Sequence, residues 1–482
     1  MTDPRCVVLI GAGFSTPFGV PTMRPFFDDF TSFARRRYPR LAESLDQLVD
    51  RIGDHGDLED LLTVLNQAIG VEEGLPAGVD SERIRAWVDD ARRLRAYLLS
   101  FIVDRCERFN PEKVAGLCGP LFVGIGDLPV SVFSSNYDRV VEHACDEASV
   151  ELADGFARGA DQVANQWTGD FDSALTFCKL HGSVTWYVDR HSDQTPVYLR
   201  LDRGYPLPDP DFRLSRGGSD LEPLMIIPTL EKEALSAPYN QLSLRFSDDL
   251  GRSRLVVVLG SSLRDEHLVG TITYRADRVV ALVVSPRARD VATRLVGVPT
   301  VPLAVGTEQF LTVSVPALLE LIRNATSHDS SPEDLEPLVE AFARTEDARI
   351  AEHYALTSEE REALETLSSS EKERLLPALR MLAGSRHPQV LTAVQALLEH
   401  EAAEVRSTSA GVLAVPGDEG TVPRLSGLAL NDPAPLVRLE AALALRRIGG
   451  EAAEEALRRR AEERADDDFE DLLDASVVIP TE

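Results

Sequence analysis

"VVLIGAGFSTPFGVPTMR" (residues 7–24) decides the fold. An apolar run ends at a glycine turn, the pattern of a strand buried on both faces that feeds a loop lying close to its neighbours. A dinucleotide-binding fingerprint wants G-x-G-x-x-G. Here Gly11 and Gly13 are followed by Thr16, and the next glycine is Gly19. The strand fits an open α/β sheet; the loop departs from the redox-cofactor form.

Five further apolar runs follow: "PVSVFSS" (129–135), "LTFCKL" (175–180), "LMIIP" (224–228), "RLVVVLG" (254–260) and "RVVALVV" (278–284). Each is apolar on both faces, as strands inside a parallel sheet must be, and helix-period segments lie between several of them. The prediction is an α/β, Rossmann-like parallel sheet. Between its first two strands sits a long helical insertion, about residues 40–125, containing "DLEDLLTVLNQAI" (57–69) and "ARRLRAYLLSFIVDRCERF" (91–109). Leu58, Leu61, Leu62 and Leu65 have the spacing of one buried helix face.

After residue 323 the texture changes. "NATSHDSSPEDLEP" (324–337) has linker composition, and from 338 to 470 the chain is predicted to be all helix, with an acidic tail at 471–482. Within the helices, "EVRSTSAGVLAVPGDEGTVPRL" (404–425) aligns with "LVRLEAALALRRIGGEAAEEAL" (436–457), placing Val405 over Val437, Arg406 over Arg438 and Gly417 over Gly449. The common offset is about 32 residues, a period of helical-hairpin arrays. "NDPAPLVRLEAALALRRIGG" resembles a short HEAT-like repeat, whose stacked hairpins expose long surfaces for partners. An earlier hairpin, "EKERLLPALRMLAGSRHPQVLTAVQALLEH" (371–400), fits in length but lacks the Val-Arg pair.

The 482 residues carry a formal net charge of -29. That balance argues against broad nucleic-acid contact, which needs clustered positive charge. Five scattered cysteines form no C-x-x-C pair, so no zinc ribbon and no metal site are expected. "MTDPRC" is not a secretory signal and no apolar run is long enough to span a membrane, so the expectation is a cytoplasmic protein with reduced thiols.

Three segments put polar groups at predicted strand ends, where open α/β sheets bind ligands. They are the opening loop, "FSSNYDRVVEHA" (133–144) with Ser134, Ser135, Asn136 and Asp138, and "CKLHGSVTWYV" (178–188) with His181. Each has a plain explanation alone: a tight turn, a helix N-cap, a solvated histidine. Their order and spacing carry more weight.

In that order they resemble the sirtuin superfamily, specifically its minimal NAD-hydrolysing members in prokaryotic antiviral defence. "GAGFSTPFGVPTMR" matches G-A-G-x-S followed by G-[IV]-P-x-[FM]-R. "SSNYD" stands at the T-x-N-x-D motif, "KLHGS" at the His-Gly motif and "VVVLGSSLRDEHL" (256–268) at the late strand ending in G-[ST]-S; "PTLEKEALSAPY" (228–239) and "DLEDLL" also have the look of the defence branch. The resemblance covers roughly residues 5–310.

The resemblance implies NAD+ as substrate. Backbone N–H groups of Gly11, Ala12 and Gly13 would hold the pyrophosphate at a helix start, with Ser15 and Arg24 completing that side. The stretch from Ser15 to Arg24 would be a mobile cofactor-binding loop. Ser134 and Ser135 would flank Asn136, which would bind the ribose or orient water, while Asp138 would hold the nicotinamide amide. His181, of a residue type that exchanges protons near neutral pH, would be the general base. Gly260, Ser261 and Ser262 would line ribose and phosphate, and Ser285 would face the adenosine.

Ser135 replaces the glutamine of deacylating sirtuins, and their four-cysteine zinc module is absent. Water therefore becomes the favoured acceptor, and the helical insertion is expected to cover the pocket. The leading expectation is an NAD+ glycohydrolase of abortive infection, a homo-oligomer restrained or assembled through its repeats until a phage-derived trigger or partner protein engages it. Protein deacylation or ADP-ribosyl transfer is the second enzyme reading. A non-catalytic NAD or ADP-ribose sensor is the third.

Overall fold

The computed structural model describes residues 5–53, 57–70, 82–158, 165–171, 175–189, 196–206, 214–216, 219–225, 237–327, 331–369, 371–385, 387–414, 421–448 and 451–463. Its strands in chain order are β1 (Arg5–Ile10), β2 (Val130–Ser134), β3 (Leu152–Ala153), β4 (Phe156–Arg158), β5 (Asn165–Trp167), β6 (Leu175–Lys179), β7 (Gly182–Asp189), β8 (Val197–Arg200), β9 (Leu214–Arg216), β10 (Ser219–Met225), β11 (Ser253–Leu259), β12 (Val280–Val284) and β13 (Thr300–Leu303).

Seven of them form one parallel sheet in the order β13-β12-β11-β1-β2-β6-β3. Apart from β3, this is the doubly wound order, in which the chain leaves β1 to one side, builds out and returns to the other. The central strands β1, β2, β11 and β12 are almost wholly buried, which is why β1, β11 and β12 are rich in Val, Leu and Ile and β2 carries Val130, Val132 and Phe133. The order brings the carboxyl ends of β1, β2, β6 and β11 to one edge of the sheet.

The run at 224–228 was expected in that sheet and is not there. Its described part, Leu224 and Met225, ends β10, which pairs antiparallel with β7. Residues 226–228 lie outside the described residues. A second sheet, β4-β5-β8-β7-β10-β9, accounts for the difference; an apolar run does not say which strand it pairs with.

The helices of this part are α1 (Ala12–Ser15), α2 (Met23–Arg37), α3 (Ala42–Ile52), α4 (Leu58–Gly70), α5 (Glu82–Glu107), α6 (Pro111–Gly126), α7 (Val140–Glu147), α8 (Tyr239–Arg252), α9 (Glu266–Thr273), α10 (Ala288–Ala292), α11 (Thr307–Val313), α12 (Val315–Thr326) and α13 (Pro332–His353). The inserted helical block begins earlier than residue 40. Phe26 and Phe30 of α2 bury their rings against Phe101 of α5, with centroids 5.7 and 5.5 Å away. The block also ends earlier than 125, because α6 packs on α7, α11 and α12 of the sheet's helical layer.

Contacts divide the chain into Met1–Asp347 and Ala348–Glu482. The cut falls within α13, past the polar stretch 324–337. Residues 328–330 aside, that stretch is mostly the end of α12 and the start of α13. Its Ser, Pro and Asp are a helix start: Ser331 Oγ donates to Asp334 at 2.6 Å and accepts from the Asp334 N–H at 3.2 Å.

The second unit continues with α14 (Ser358–Thr366), α15 (Lys372–Met381), α16 (Pro388–Ala396), α17 (Ala403–Val412), α18 (Val422–Asn431), α19 (Pro435–Ile448) and α20 (Glu451–Glu463), stacked around a Leu, Val and Ala core. Matched positions do matched work. Arg406 Nη1 donates to the carbonyls of His400 and Glu401, and Arg438 Nη1 to those of Asp432 and Pro433. His400 Nδ1 accepts from the Ala402 N–H, and Asp432 Oδ1 from that of Ala434. Gly417, Gly449 and the acidic tail lie outside the described residues.

No helix among the described residues is long and apolar enough to cross a membrane.

Candidate functional site

The loops after β1, β2, β6 and β11 meet at the carboxyl edge of the parallel sheet and join in a closed circuit. The β1 and β11 turns touch backbone to backbone. The Gly11 N–H donates to the Leu259 carbonyl at 3.0 Å and the Gly13 N–H to the Gly260 carbonyl at 2.8 Å. Gly260 has φ +64, and a Cβ there would lie 2.2 Å from the Phe14 nitrogen, so a side chain fails on both conformation and space.

The β1 and β2 loops are joined by Asn136. Its Nδ2 donates to the Gly11 carbonyl at 3.1 Å and to Ser15 Oγ at 3.0 Å, and its own N–H is held by Ser134 Oγ at 3.1 Å. The Ser15 hydroxyl donates in turn to Asp138, whose Oδ1 accepts from the Val140 N–H at 3.0 Å at the start of α7. Asn136, Asp138 and Ser15 are 7, 5 and 1% exposed, so the three form a buried polar chain. Burial pushes the Asp138 carboxyl above its ordinary value, although the Lys179 charge, the Val140 N–H and the Ser15 hydroxyl oppose the shift.

Lys179 joins β6 to the β2 loop. Its ammonium is buried, donating to the carbonyls of Tyr137 and Asp138 and to Glu142 Oε1, the last at 3.0 Å. A buried lysine needs this full set of partners. It fixes the backbone on which Asn136 and Asp138 stand.

His181 closes the circuit between the β6 and β11 loops. Its Nε2 lies 2.9 Å from Asp265 Oδ2. Gly182 next to it has φ +83, and a Cβ there would meet the Leu224 carbonyl at 2.3 Å, which pins the backbone beside the imidazole. Asp265 is the N-cap of α9, its Oδ1 accepting from the N–H groups of His267 at 2.9 Å and Leu268 at 3.2 Å. Burial pushes its carboxyl up, but the His181 hydrogen bond and charge and these two N–H groups outweigh burial and hold it below the ordinary value. The preceding residue, Arg264, donates to Asp57 Oδ2 at 2.8 Å, and Asp57 leads into α4 of the helical block.

The model for HEAT repeats matches residues 390–473. Those helices are a HEAT repeat region. A solved structure reported as "Structural Basis for the Mechanism and Regulation of Sir2 Enzymes" matches over 67% of this chain and 94% of its own, at 13% identity and a TM-score of 0.32. A likeness that weak says nothing of chemistry. No curated protein matches the chain.

The circuit therefore has to stand on its own geometry. It brings together Gly11, Ala12, Gly13, Ser15, Ser134, Ser135, Asn136, Asp138, His181 and Gly260, ten predicted positions from four distant segments. Ser135 receives the β1 end differently from Asn136: its N–H donates to the Ile10 carbonyl at 3.0 Å. Ser134 is 1% exposed and stands behind Asn136 as its support. Ser261 Oγ accepts from the Leu263 N–H at 3.1 Å, Ser262 is exposed, and Ser285 Oγ accepts from the Arg287 N–H beyond β12.

Two expectations change. Gly11 and Gly13 were to offer their N–H groups to a pyrophosphate, but both are spent, on the carbonyls of Leu259 at the end of β11 and of Gly260 just after it. The glycines are there because the two turns pack without room for a Cβ. The stretch from Ser15 to Arg24 was expected as a mobile loop, yet it is folded: α1 runs into a 3-10 turn at Thr16–Phe18, and α2 begins at Met23. Phe14, Phe18 and Val20 hold it down by burial. Arg24 lies in the first turn of α2; its side chain is outside the described residues.

Sequence reasoning missed Lys179, Asp265 and Thr307, whose Oγ1 donates to the Gly13 carbonyl at 3.0 Å. Lys179 left a signal, being one of few lysines in an arginine-rich chain and sitting in an apolar strand. Asp265 left only that of an N-cap. All five cysteines are free and buried, and burial raises their thiol pKa values, so none is a poised nucleophile. Among the described residues no group of three metal-ligating side chains forms.

Proposed function

We propose that this chain is an NAD+ glycohydrolase, releasing nicotinamide and ADP-ribose. The observation that carries the reading is the convergence of Asn136 and His181, from segments that resemble sirtuin motifs, in one hydrogen-bonded circuit at the ligand-binding edge of a doubly wound sheet. Nicotinamide is a good leaving group, so positioning and electrostatics suffice. Water oxygen bonds to ribose C1′ as the bond from C1′ to the nicotinamide nitrogen breaks. The bonding pair leaves with nicotinamide, and the water proton passes to His181.

Asn136 holds the ribose or the water, and Asp138 the nicotinamide amide, whose N–H groups a carboxylate accepts. Ala12 at the start of α1, Ser15, Arg24, Ser135, Gly260, Ser261, Ser262 and Ser285 line the dinucleotide. On the same resemblance, the reaction belongs to anti-phage abortive infection, with the enzyme a homo-oligomer and the HEAT repeats the surface that receives a phage-derived trigger.

Full-length protein incubated with NAD+, alone and with lysate from phage-infected cells, tests this by chromatography. Nicotinamide and ADP-ribose are expected in equal amounts. His181→Ala should lower the rate about a hundredfold or more. NAD+ intact under every condition, or equal turnover by His181→Ala, overturns the assignment.

A further inference from the structure

We infer that Asp265 is a positioning residue that fixes the tautomer of His181, so that Nε2 carries the proton and Nδ1 is the atom that accepts one. This rests on the NAD+ reading for its catalytic meaning, while the tautomer is a property of the chain itself.

Three features lead there. First, the acceptor is aimed. Asp265 Oδ2 lies 2.9 Å from His181 Nε2, while Oδ1 is tied down by the N–H groups of His267 and Leu268. A carboxylate with one oxygen committed to a helix start cannot rotate to offer the other elsewhere. Second, it is ionised. The same N–H groups and the imidazole hold the carboxyl below its ordinary value, so at neutral pH it has no proton to donate. An ionised carboxylate only accepts, and the hydrogen between the two must then sit on Nε2. In the neutral ring this leaves Nδ1 with its lone pair bare.

Third, both partners are braced from behind. His181 stands between Leu180, whose N–H donates to the Ser134 carbonyl at 2.8 Å, and Gly182, which has no room to shift toward Leu224. Asp265 follows Leu263, a buried residue held at φ +50, and Arg264, anchored on Asp57. An aspartate that orients a histidine in this way does not touch substrate; it acts through the ring.

The substitution Asp265→Asn separates this role from a merely structural one. Asparagine is as good an N-cap as aspartate, so Oδ1 can keep α9 capped. Its Nδ2 then takes the place of Oδ2 and donates toward Nε2, forcing the proton to Nδ1. Protein labelled with 15N-histidine, with the His181 signals assigned by their loss in His181→Gln, reports the tautomer at about pH 8, above the ordinary imidazole range. In the wild type Nε2 is expected as the protonated nitrogen and Nδ1 as the bare one; in Asp265→Asn the two exchange.

NAD+ cleavage by Asp265→Asn should show kcat lowered about a hundredfold or more with KM changed less than about threefold. A protonated Nδ1 in the wild type overturns the inference, as does a tautomer that ignores the substitution or one that reverses without loss of kcat. If the wild type leaves NAD+ intact while its nitrogens show the expected pattern, the NAD+ reading fails and the pairing of Asp265 with His181 stands.

Discussion

Asp265 in the sheet unit and Asp432 in the repeat unit are the same local device with different partners. Each ties down backbone ahead of a helix with Oδ1, Asp265 as the N-cap of α9 at His267 and Leu268, Asp432, which closes α18, in the turn before α19 at Ala434. Each presents Oδ2 to a cationic or imidazole group far along the chain. Asp432 meets the Arg406 guanidinium in a two-pronged pair, Nε to Oδ2 at 2.7 Å and Nη2 to Oδ1 at 2.8 Å. Asp265 meets His181. An arginine keeps its charge at any pH a protein survives, so the first pair is a fixture; an imidazole exchanges its proton, so the second is suited to work.

Removing the fixture's cation should have the largest effect on stability. Arg406→Ala leaves the Asp432 carboxylate buried without its counter-charge, at a cost of about 3 kcal/mol to the repeat unit. Hydrogen exchange should show the protection of α17 and α19 falling accordingly while the parallel sheet keeps its own. Asp432→Asn keeps the turn bond to Ala434 and surrenders the ion pair, which is worth about 2 kcal/mol in the same measurement. The matching change in the sheet unit, Asp265→Asn, should shift stability by less than about 0.5 kcal/mol, whatever it does to turnover. Equal losses from the two asparagine variants would break the comparison.

The smallest effect is on pH dependence. Asp432 is held below its ordinary value by the Arg406 hydrogen bonds against the opposing push of burial, so its contribution is full above the unfolded-state pKa and is lost as pH falls through the lower folded-state value. Asp138 has the opposite sign. Burial raises its folded-state pKa, so it disfavours the fold at neutral pH and that penalty lifts on acidification. The melting difference between wild type and Asp432→Asn should therefore narrow below the carboxylate range, and that between wild type and Asp138→Asn should grow in favour of the wild type.

The parallel sheet was legible because β1, β2, β6, β11 and β12 are largely buried on both faces and mostly apolar, with Ser131, Thr176 and Lys179 among the exceptions. The second sheet was not. Its strands β4, β5 and β9 are three residues each, too short for any alternation to register. The polar stretch at 324–337 misled because Ser, Pro and Asp mark helix starts as readily as linkers.

At the site, the residue types of Asn136, Asp138 and His181 could be picked out because they stand directly after strands. The partners could not. That His181 meets Asp265 depends on β6 and β11 lying on opposite sides of β1, a matter of sheet order that neither segment encodes locally. The spent N–H groups of Gly11 and Gly13 escaped for the same reason, since their acceptors stand at the end of β11 and in the turn after it.

Of the strands in this sheet, the first in chain order is the central one. As the chain leaves the ribosome, β1 has no neighbour until β2 arrives and lacks the other until β11 is complete, with Asp265 following a few residues later. The circuit around His181 therefore cannot close on a partly made chain. Translation must pass β11 before the parts of this site can meet, and a message cut short ahead of it yields a protein with His181 and Asn136 but no enclosure to put them in.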